Sequence, residues 1–313
     1  MESLCFVPLL HLYFALITEI IKNTVNNVPV LVSIGCFAYN NINNIRKCLD
    51  GFVMQKGDFL IEILIHDDAS TDGTADVIRE YENKYPEIFK PIYQTENQFS
   101  KGISITKEYI LPRVQGKYLV LCDGDDYWID NCYLKNGVMF LENNKEYNCY
   151  VTDSIYKTSD FQKSGMEWHN VCIEKVGHDI SFDNFVYFHT SARLYRSEFD
   201  GYLNCPYSGE IYLYFSFLDK GKAYFDHKIT SVYNISGTGT WTKFNQKEKE
   251  KRRFKVWVKA NEYFSNKYFR FFWSTLPKPK NLIVLGKIIG IKQTMKLLSF
   301  LYVDKKYKKT KVK

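Results

Sequence analysis

Three carboxylates occur within four residues of one short segment: Asp123, Asp125 and Asp126. They directly follow the apolar run 116–122, which has the pattern of a buried strand. Carboxylates this close repel one another and raise one another's pKa, and a bound cation relieves that repulsion. Proteins hold Mg²⁺ or Mn²⁺ with one or two carboxylates together with the phosphates of a substrate. The cluster therefore predicts a divalent metal site. An acidic turn that caps the next helix is the alternative, and the two aromatic residues that follow favour a cleft floor over it.

Two further loops carry polar groups directly after apolar runs: Tyr39 with Asn40, and the segment 67–74. In open α/β sheets ligands bind beyond the carboxyl ends of the strands, so these loops are expected near the acidic cluster. Tyr39 could also be a core aromatic at a strand end. Asp67 and Asp68 could cap the helix that begins at 74, but Asp72 and Ser70 already have the chemistry of caps there. This leaves Asp67 and Asp68 without a structural role and favours a functional one.

The strands and helices that position these loops are predicted from the spacing of apolar residues along the sequence. Continuous apolar runs alternate with segments of helical spacing, which predicts a parallel sheet covered by helices. The predicted strands are 30–38, 60–66, 89–94 and 116–122, and the predicted helices are 43–55, 74–85 and 103–114.

Residues 30–128 resemble the inverting family 2 glycosyltransferases of the GT-A fold. The stretch HDDASTDGT at 66–74 resembles the second-strand signature of that family, and LCDGDDYW at 121–128 resembles its DxD metal motif with trailing aromatics. The two motifs occur in the family's order, about 55 residues apart. The resemblance implies an α/β, Rossmann-like GT-A sheet flanked by helices.

The resemblance also implies roles for single residues. Tyr39 would stack on the nucleotide base, and Asp68 would hydrogen-bond the base or the ribose. Asn97 lies where the family often lines the nucleotide pocket. Asp123 would lie near the ribose and the metal, and Asp125 would be a ligand of the Mn²⁺ or Mg²⁺ that bridges the donor diphosphate.

A carboxylate in the second half is the candidate catalytic base. Glu210 follows Ser208-Gly209 and precedes the helical pattern 211–218, at a point where relatives carry an acidic base, more often Asp. An inverting transfer needs a carboxylate that removes the proton from the acceptor hydroxyl. An acid favoured at a helix N-terminus by the macrodipole is the alternative role, and the two are compatible.

Other carboxylates remain alternatives as the base: Asp179, Asp183 and Asp153. The sequence departs from the family after the late strand, where relatives often show a His that assists the metal. Ser236 stands at that position, so the resemblance does not supply a third protein ligand for the metal.

The predicted organisation has three parts. Residues 1–28 form an apolar extension, 29–240 the GT-A domain, and 241–313 a helical segment with a basic tail. Within the domain, 29–130 is the nucleotide-sugar half and 131–240 the acceptor half. The apolar run in the extension is shorter than the roughly 20 residues that span a bilayer. The tail suggests an alternative to a simple solvated end, a peripheral contact with an anionic membrane face.

The amino-acid composition indicates the cellular compartment and excludes some classes of binding partner. The 8 cysteines are scattered and form no CxxC pair, so neither a zinc site nor a disulfide framework is predicted. This favours a reducing, cytoplasmic location, at most the inner face of the plasma membrane. The net charge is +7, but the basic residues cluster at the tail, so no nucleic-acid partner is expected.

The resemblance to family 2 implies transfer of a sugar from a nucleoside-diphosphate donor, in that family commonly a UDP-sugar, to a glycan or lipid-linked acceptor in surface polysaccharide synthesis. Two other classes remain. A nucleotidyltransferase would need a Gly-rich, basic phosphate loop early in the chain, and the first strand ends in Phe-Ala-Tyr-Asn instead. A non-catalytic binding protein on the GT-A fold is the second alternative, favoured by Ser236 and by Glu in place of Asp at 210.

Overall fold

The computed structural model describes residues 30–168, 176–235, 244–264 and 267. The predicted N-terminal extension, Ser236 and the basic tail lie outside these residues. The chain forms two compact units. The first consists of the residues up to Asn143 together with Leu194–Ser197, and the second of Asn144–Arg193 and the residues from Glu198 onward. The domain boundaries predicted from the sequence stay predictions.

The first unit is built on a parallel sheet in the order β3-β2-β1-β4, with β9 antiparallel beside β4. The apolar runs of the sequence supply the four parallel strands, and their alternating βα connections are what a parallel sheet requires. The strands are β1 (Val30–Ala38), β2 (Phe59–Asp67), β3 (Phe89–Tyr93), β4 (Tyr118–Asp123) and β9 (Arg193–Arg196). The predicted α/β fold class is confirmed.

Two amphipathic helices follow β1 and β2 in this unit. The sequence spacing predicts a buried face of Ile45, Cys48, Leu49, Phe52 and Val53. Helix α1 (Ile45–Val53) buries the first four of these residues and leaves Val53 half-buried. Helix α2 (Thr74–Lys84) follows β2. Its N-cap residue is Gly73 in the left-handed region (φ 94°), so the prediction that Asp72 is the N-cap is wrong by one residue. Asp72 still accepts a hydrogen bond from the Thr74 N–H at 3.0 Å.

The segment 103–114 differs from the single α-helix that the sequence predicts. It consists of a π turn (Thr106–Ile110) and a 3-10 turn (Leu111–Arg113). Pro112 has no N–H and cannot donate an α-helical bond, so the chain changes its hydrogen-bond pattern there. The two-residue strand β5 (Tyr127–Trp128) and helix α3 (Tyr133–Asn143) complete the unit.

The second unit is built on β6 (Tyr147–Lys157), which pairs in parallel with β10 (Lys222–Asn234). The short strands β7 (Gln162–Ser164) and β8 (Asp179–Ile180) add antiparallel pairs to β6 and β10. The polar and irregular composition of 156–179 predicts a loop, whereas the described part of that segment contains the short strand β7 and one helical turn. The helices are α4 (Gly165–Trp168), α5 (Asp200–Leu203), α6 (Glu210–Lys220) and α7 (Gln246–Tyr263).

Helix α6 is the central helix of this unit. Its residues 212–218 are all buried, among them Leu213 and Phe215 at 0% exposure. Helix α7 begins with a capping box between Asn245 and Glu248, which satisfies two free backbone N–H groups at its start. Across the described residues, no helix combines the length and the apolar character that a membrane crossing needs.

Candidate active site

The loops after β1 and β2 interlock at the carboxyl end of the first unit's sheet. The Asn40 N–H donates to Ser70 Oγ at 2.9 Å, and the Ile42 N–H donates to Asp72 Oδ2 at 3.0 Å. Asn40 (φ 52°) and Ala69 (φ 63°) adopt the left-handed conformation that the turns require. The polar residues of 67–74 therefore fix the loop that carries Tyr39.

Tyr39 lies at the end of β1 with its side chain 48% exposed. It is therefore not the core aromatic that the sequence left as an alternative. Its N–H donates to Asn41 Oδ1 at 2.9 Å, which holds the backbone at the turn. An exposed ring on a fixed backbone can offer a flat face to a ligand.

Asp68 is 5% exposed, and its carboxylate binds the backbone of the loop after β3. Oδ1 accepts the Gln98 N–H at 2.7 Å, and Oδ2 accepts the Phe99 N–H at 3.0 Å. Asn97 supports the same loop, because its Oδ1 accepts the Ser100 N–H at 2.7 Å. The expectation that Asp68 lacks a structural role is therefore wrong, whereas the nucleotide-binding roles of Asp68 and Asn97 stay predictions.

The acidic loop, which carries Asp123, Asp125 and Asp126, lies at the end of β4. The structure brings two of its three carboxylates together. Asp126 is fully buried, its N–H donates to the Asp123 carbonyl at 3.0 Å, and carboxylate oxygens of Asp123 and Asp126 lie within 4.8 Å of each other. Asp125 is half-buried, and burial raises the pKa of its carboxyl above the ordinary value. The sequence noted Asp126 in the cluster but predicted Asp123 and Asp125 as ligands. That prediction stays untested, and the structure adds Asp126 as a further candidate ligand of the metal.

Close backbone packing fixes the position of the acidic loop. The Gly124 N–H donates to the Phe37 carbonyl of β1 at 2.7 Å. A Cβ at Gly124 would lie 3.0 Å from that carbonyl oxygen, so a larger residue would require the β1 backbone to shift by a few tenths of an ångström. The thiols of Cys48 and Cys122 both lie within hydrogen-bond reach of the Asp123 carbonyl, at 3.6 and 3.5 Å.

The aromatic residues after the acidic loop divide between core and surface. Trp128 is 2% exposed and packs edge-on against Phe52, with ring centroids 4.8 Å apart. Tyr127 is half-buried, and Lys47 Nζ lies 5.9 Å from its ring centroid. Trp128 therefore anchors the loop in the core.

Glu210 is the first residue of α6, after Gly209 at φ 121°. Its Oε1 accepts the Tyr187 hydroxyl at 2.7 Å, and its Oε2 lies 3.2 Å from Arg193 Nη2. The Glu210 side chain is 40% exposed, whereas that of Arg193 is fully buried. The carboxylate is thus fixed from its buried side and open on the other.

Arg193 holds this cluster together. Its Nε donates to the His189 carbonyl at 3.2 Å, and its Nη2 also donates to Thr190 Oγ1 at 2.8 Å. The guanidinium lies 5.6 Å from the ring centroid of Tyr187 and 5.0 Å from that of Tyr214, a cation–π arrangement. Arg193 is not among the site residues predicted from the sequence. An arginine is seldom fully buried unless it is paired, and that rule points to Arg193 only once its burial is known.

The other carboxylates considered as bases have different surroundings. A hydrogen bond from Lys222, and then one from Tyr147, hold the pKa of Asp179 below its ordinary value. Burial raises the pKa of Asp153, although its Oδ1 accepts the Ser154 and Gly165 N–H groups. Neither carboxylate shares the arrangement of Glu210, a partly exposed acid paired with a fully buried cation.

The chain resembles curated glycosyltransferases over part of their length. It is 31% identical over 136 residues to the UDP-Glc:alpha-D-GlcNAc-diphosphoundecaprenol beta-1,3-glucosyltransferase WfaP of Escherichia coli, which covers 44% of this chain and 50% of WfaP. The matches to three mycobacterial proteins, at 41% identity, span 32% of each of those relatives. The chain thus spans only a third to a half of the length of these relatives.

Solved structures share the fold at low sequence identity. S. aureus TarS in complex with UDP-GlcNAc superposes with a TM-score of 0.58 at 15% identity, over 78% of this chain and 73% of TarS. The mannosyltransferase PcManGT of Pyrobaculum calidifontis, in complex with GDP-Man and Mn²⁺, gives a TM-score of 0.55 at 17% identity, over 88% and 76%. These similarities confirm the predicted GT-A fold.

The family model of glycosyl transferase family 2 matches residues 33–203, more than half of the chain. The match includes Tyr39, the acidic loop and Arg193, and it ends before Glu210. The chain belongs to glycosyl transferase family 2.

Proposed function

We propose that the protein transfers a sugar from a UDP-sugar to a glycan or lipid-linked glycan acceptor, with inversion at the anomeric carbon, in surface polysaccharide synthesis. The acidic loop after β4 carries this proposal, because it combines paired carboxylates with a sheet edge of the kind that binds nucleotides. We place this activity in the cytoplasm, at the inner face of the plasma membrane.

The carboxylates of the acidic loop are suitable ligands for Mg²⁺ or Mn²⁺. Asp123 and Asp126 offer hard carboxylate oxygens within 4.8 Å of each other, and Asp125 is adjacent. A divalent cation held there would neutralise charge on the departing diphosphate. Asp123 would also orient the ribose, and Tyr39 would stack on the base. The loop built on Asp68 and Asn97 would close the side of the nucleotide pocket.

Glu210 is the proposed general base. Its carboxylate would accept the proton of the acceptor hydroxyl while that oxygen bonds to the anomeric carbon. The bond from the anomeric carbon to the diphosphate oxygen breaks on the opposite face, which gives inversion. Arg193 and Tyr187 would keep the carboxylate in one orientation during the step.

The relatives support the substrate classes. WfaP is named for a UDP-Glc donor and a diphosphoundecaprenol-linked acceptor, and TarS binds UDP-GlcNAc. PcManGT binds GDP-Man with Mn²⁺, so a GDP-sugar is the alternative donor for this protein. The metal of PcManGT supports a cation requirement here.

A panel of UDP-, GDP- and dTDP-sugars tests the proposal, with donor hydrolysis measured in Mn²⁺ and in EDTA. We expect cleavage of a UDP-sugar in Mn²⁺ and none in EDTA, and an NMR assay of the transfer product should show an inverted anomeric centre. A folded protein that binds UDP but cleaves no donor would favour the non-catalytic alternative. Retention of configuration would exclude the single displacement.

A further inference from the structure

An open surface cavity of about 350 Å³ lies on the second unit, outside the residues assigned to the reaction. It is lined by Tyr207 from the turn before α6 and by four residues of α7, Lys255, Val258, Lys259 and Glu262. Its volume is in the range of sites that bind small ligands, about 300–1,000 Å³.

The cavity adjoins the helix that begins with Glu210. Tyr207 precedes Glu210 by three residues, and its ring packs against that of Tyr212 in the first turn of α6, with centroids 5.5 Å apart. The Tyr212 hydroxyl donates to the Val256 carbonyl of α7 at 3.3 Å, which joins the two helices. A ligand in the cavity would therefore lie beside the amino end of α6.

The charge of the cavity favours an anion. Lys255 and Lys259 are four residues apart, so both project from one face of α7, and both are exposed. Among the residues that the structure describes, neither ammonium has a carboxylate within ion-pair distance. Lys259 Nζ instead lies 4.6 Å from the ring centroid of Tyr207. Glu262 is the one acidic residue of the lining.

We propose that this cavity binds a phosphate or diphosphate group of the acceptor, through Lys255 and Lys259, while the acceptor hydroxyl reaches Glu210. The inference rests on the proposed function, since it gives that reaction a phosphate-bearing acceptor. Each ammonium has three N–H donors for phosphate oxygens, and charge-assisted bonds of this kind are about twice as strong as neutral ones. The Tyr207 ring would cover one side of the bound group.

Calorimetry with inorganic pyrophosphate in EDTA tests the cavity without the donor, the metal or turnover. The Lys255→Ala/Lys259→Ala double variant should bind pyrophosphate about tenfold more weakly than the wild type, as expected for lost charge-assisted bonds. Glu262→Gln should bind it more tightly, because it removes the one negative charge of the lining. Arg252→Ala is the matched control, because it removes an exposed cation of α7 that is not part of the lining.

Three outcomes would overturn the proposal. The first is unchanged pyrophosphate affinity in the double variant. The second is an equal loss in Arg252→Ala, since it indicates a diffuse basic surface. The third is binding to phosphatidylglycerol vesicles that falls equally in both variants, which would assign α7 to a membrane surface. UDP affinity in Mn²⁺ is measured in parallel and should be equal in all variants. A wild type that fails to bind UDP would count against the proposed function, and the pyrophosphate result would still decide the cavity.

Discussion

The two units hold their candidate functional side chains in place through different kinds of hydrogen bond. At the sheet edge of the first unit, most polar side chains bind backbone N–H groups of neighbouring loops, as Asp68 does at Gln98 and Phe99. In the second unit, Glu210 is held by other side chains, the Tyr187 hydroxyl and the buried Arg193 guanidinium. The first arrangement fixes loops around an open edge, whereas the second fixes the direction of one carboxylate.

The difference bears on how substitutions should act. A side chain that binds a backbone N–H supports a loop, so its loss should loosen several residues together. A side chain paired with a buried cation supports one group, and its loss leaves that cation without its partner, which is costly when the site excludes water. Variants in the first unit should therefore change donor binding, and variants around Glu210 should change the chemical step.

The largest effect is expected at the acidic loop. Asp123→Asn and Asp125→Ala should each lower transfer by roughly 10³-fold or more, because stabilisation by a metal is worth several kcal/mol. Asp126→Asn decides whether the carboxylate near Asp123 is also a ligand. The measurement is transfer rate and UDP affinity as a function of Mn²⁺ concentration.

Asp76→Asn is the matched control for the acidic loop, an exposed carboxylate of α2 paired with Arg79. It should leave activity unchanged. Circular dichroism should show intact folds for the three loop variants, because removing one charge from a repelling cluster does not destabilise the apoprotein, and also for the exposed control. A loop variant with near-normal activity in EDTA would contradict the metal site.

The next effect concerns the base. Glu210→Gln keeps the shape of the side chain but cannot accept a proton, so it should lower kcat by about 10²–10⁴-fold. Donor affinity should change little, because the base acts on the acceptor in the transition state. Glu210→Asp should keep partial activity, since it retains a carboxylate that can accept the proton. Wild-type turnover in Glu210→Gln would move the base to Asp179, Asp183 or Asp153.

Stability measurements sharpen the test of Glu210. The substitution removes the carboxylate partner of Arg193, so urea unfolding should show a loss, reduced to about 1 kcal/mol by the partial exposure of Glu210. Glu198→Gln is the control, an exposed carboxylate 3.9 Å from Lys220, and it should change neither stability nor kcat. If Glu210→Gln instead abolishes UDP binding, Glu210 acts on the nucleotide side.

The sequence predicted the parallel strands, the helices between them and the acidic loop, because continuous apolar runs and helical spacing are local signals. It did not predict which neighbouring carboxylate meets Asp123, because that depends on the turn at Gly124. It also missed Arg193, which lies 17 residues from Glu210 in the chain. Contacts between distant side chains leave no periodic signal, and Tyr187 lies in a stretch with no clear pattern.

A smaller effect is expected at the nucleotide pocket. Tyr39→Ala removes an exposed ring, so UDP affinity should fall about tenfold, in the range of base stacking on an aromatic ring, with stability unchanged. Asp68→Ala should weaken UDP binding as well and should also speed hydrogen exchange at the Gln98 and Phe99 amides. Calorimetry and exchange measurements separate the two effects. Unchanged UDP affinity in both variants would move the nucleotide site elsewhere.

The smallest effect concerns the orientation of Glu210 and depends on a single hydroxyl. Burial, and then the Glu210 charge, raise the pKa of Tyr187 well above its usual range, so the phenol stays protonated and donates to Oε1. Tyr187→Phe removes that bond and keeps the ring over Arg193. We expect kcat to fall about threefold to tenfold, as for one hydrogen bond to a partly exposed charged group, with donor KM unchanged.

In a Glu210→Gln background the same substitution should have no further effect on kcat, because the hydroxyl acts only through the carboxylate. Equal losses in both backgrounds would mean that Tyr187 contributes independently of Glu210, and the second unit would then use a group that acts on the acceptor directly.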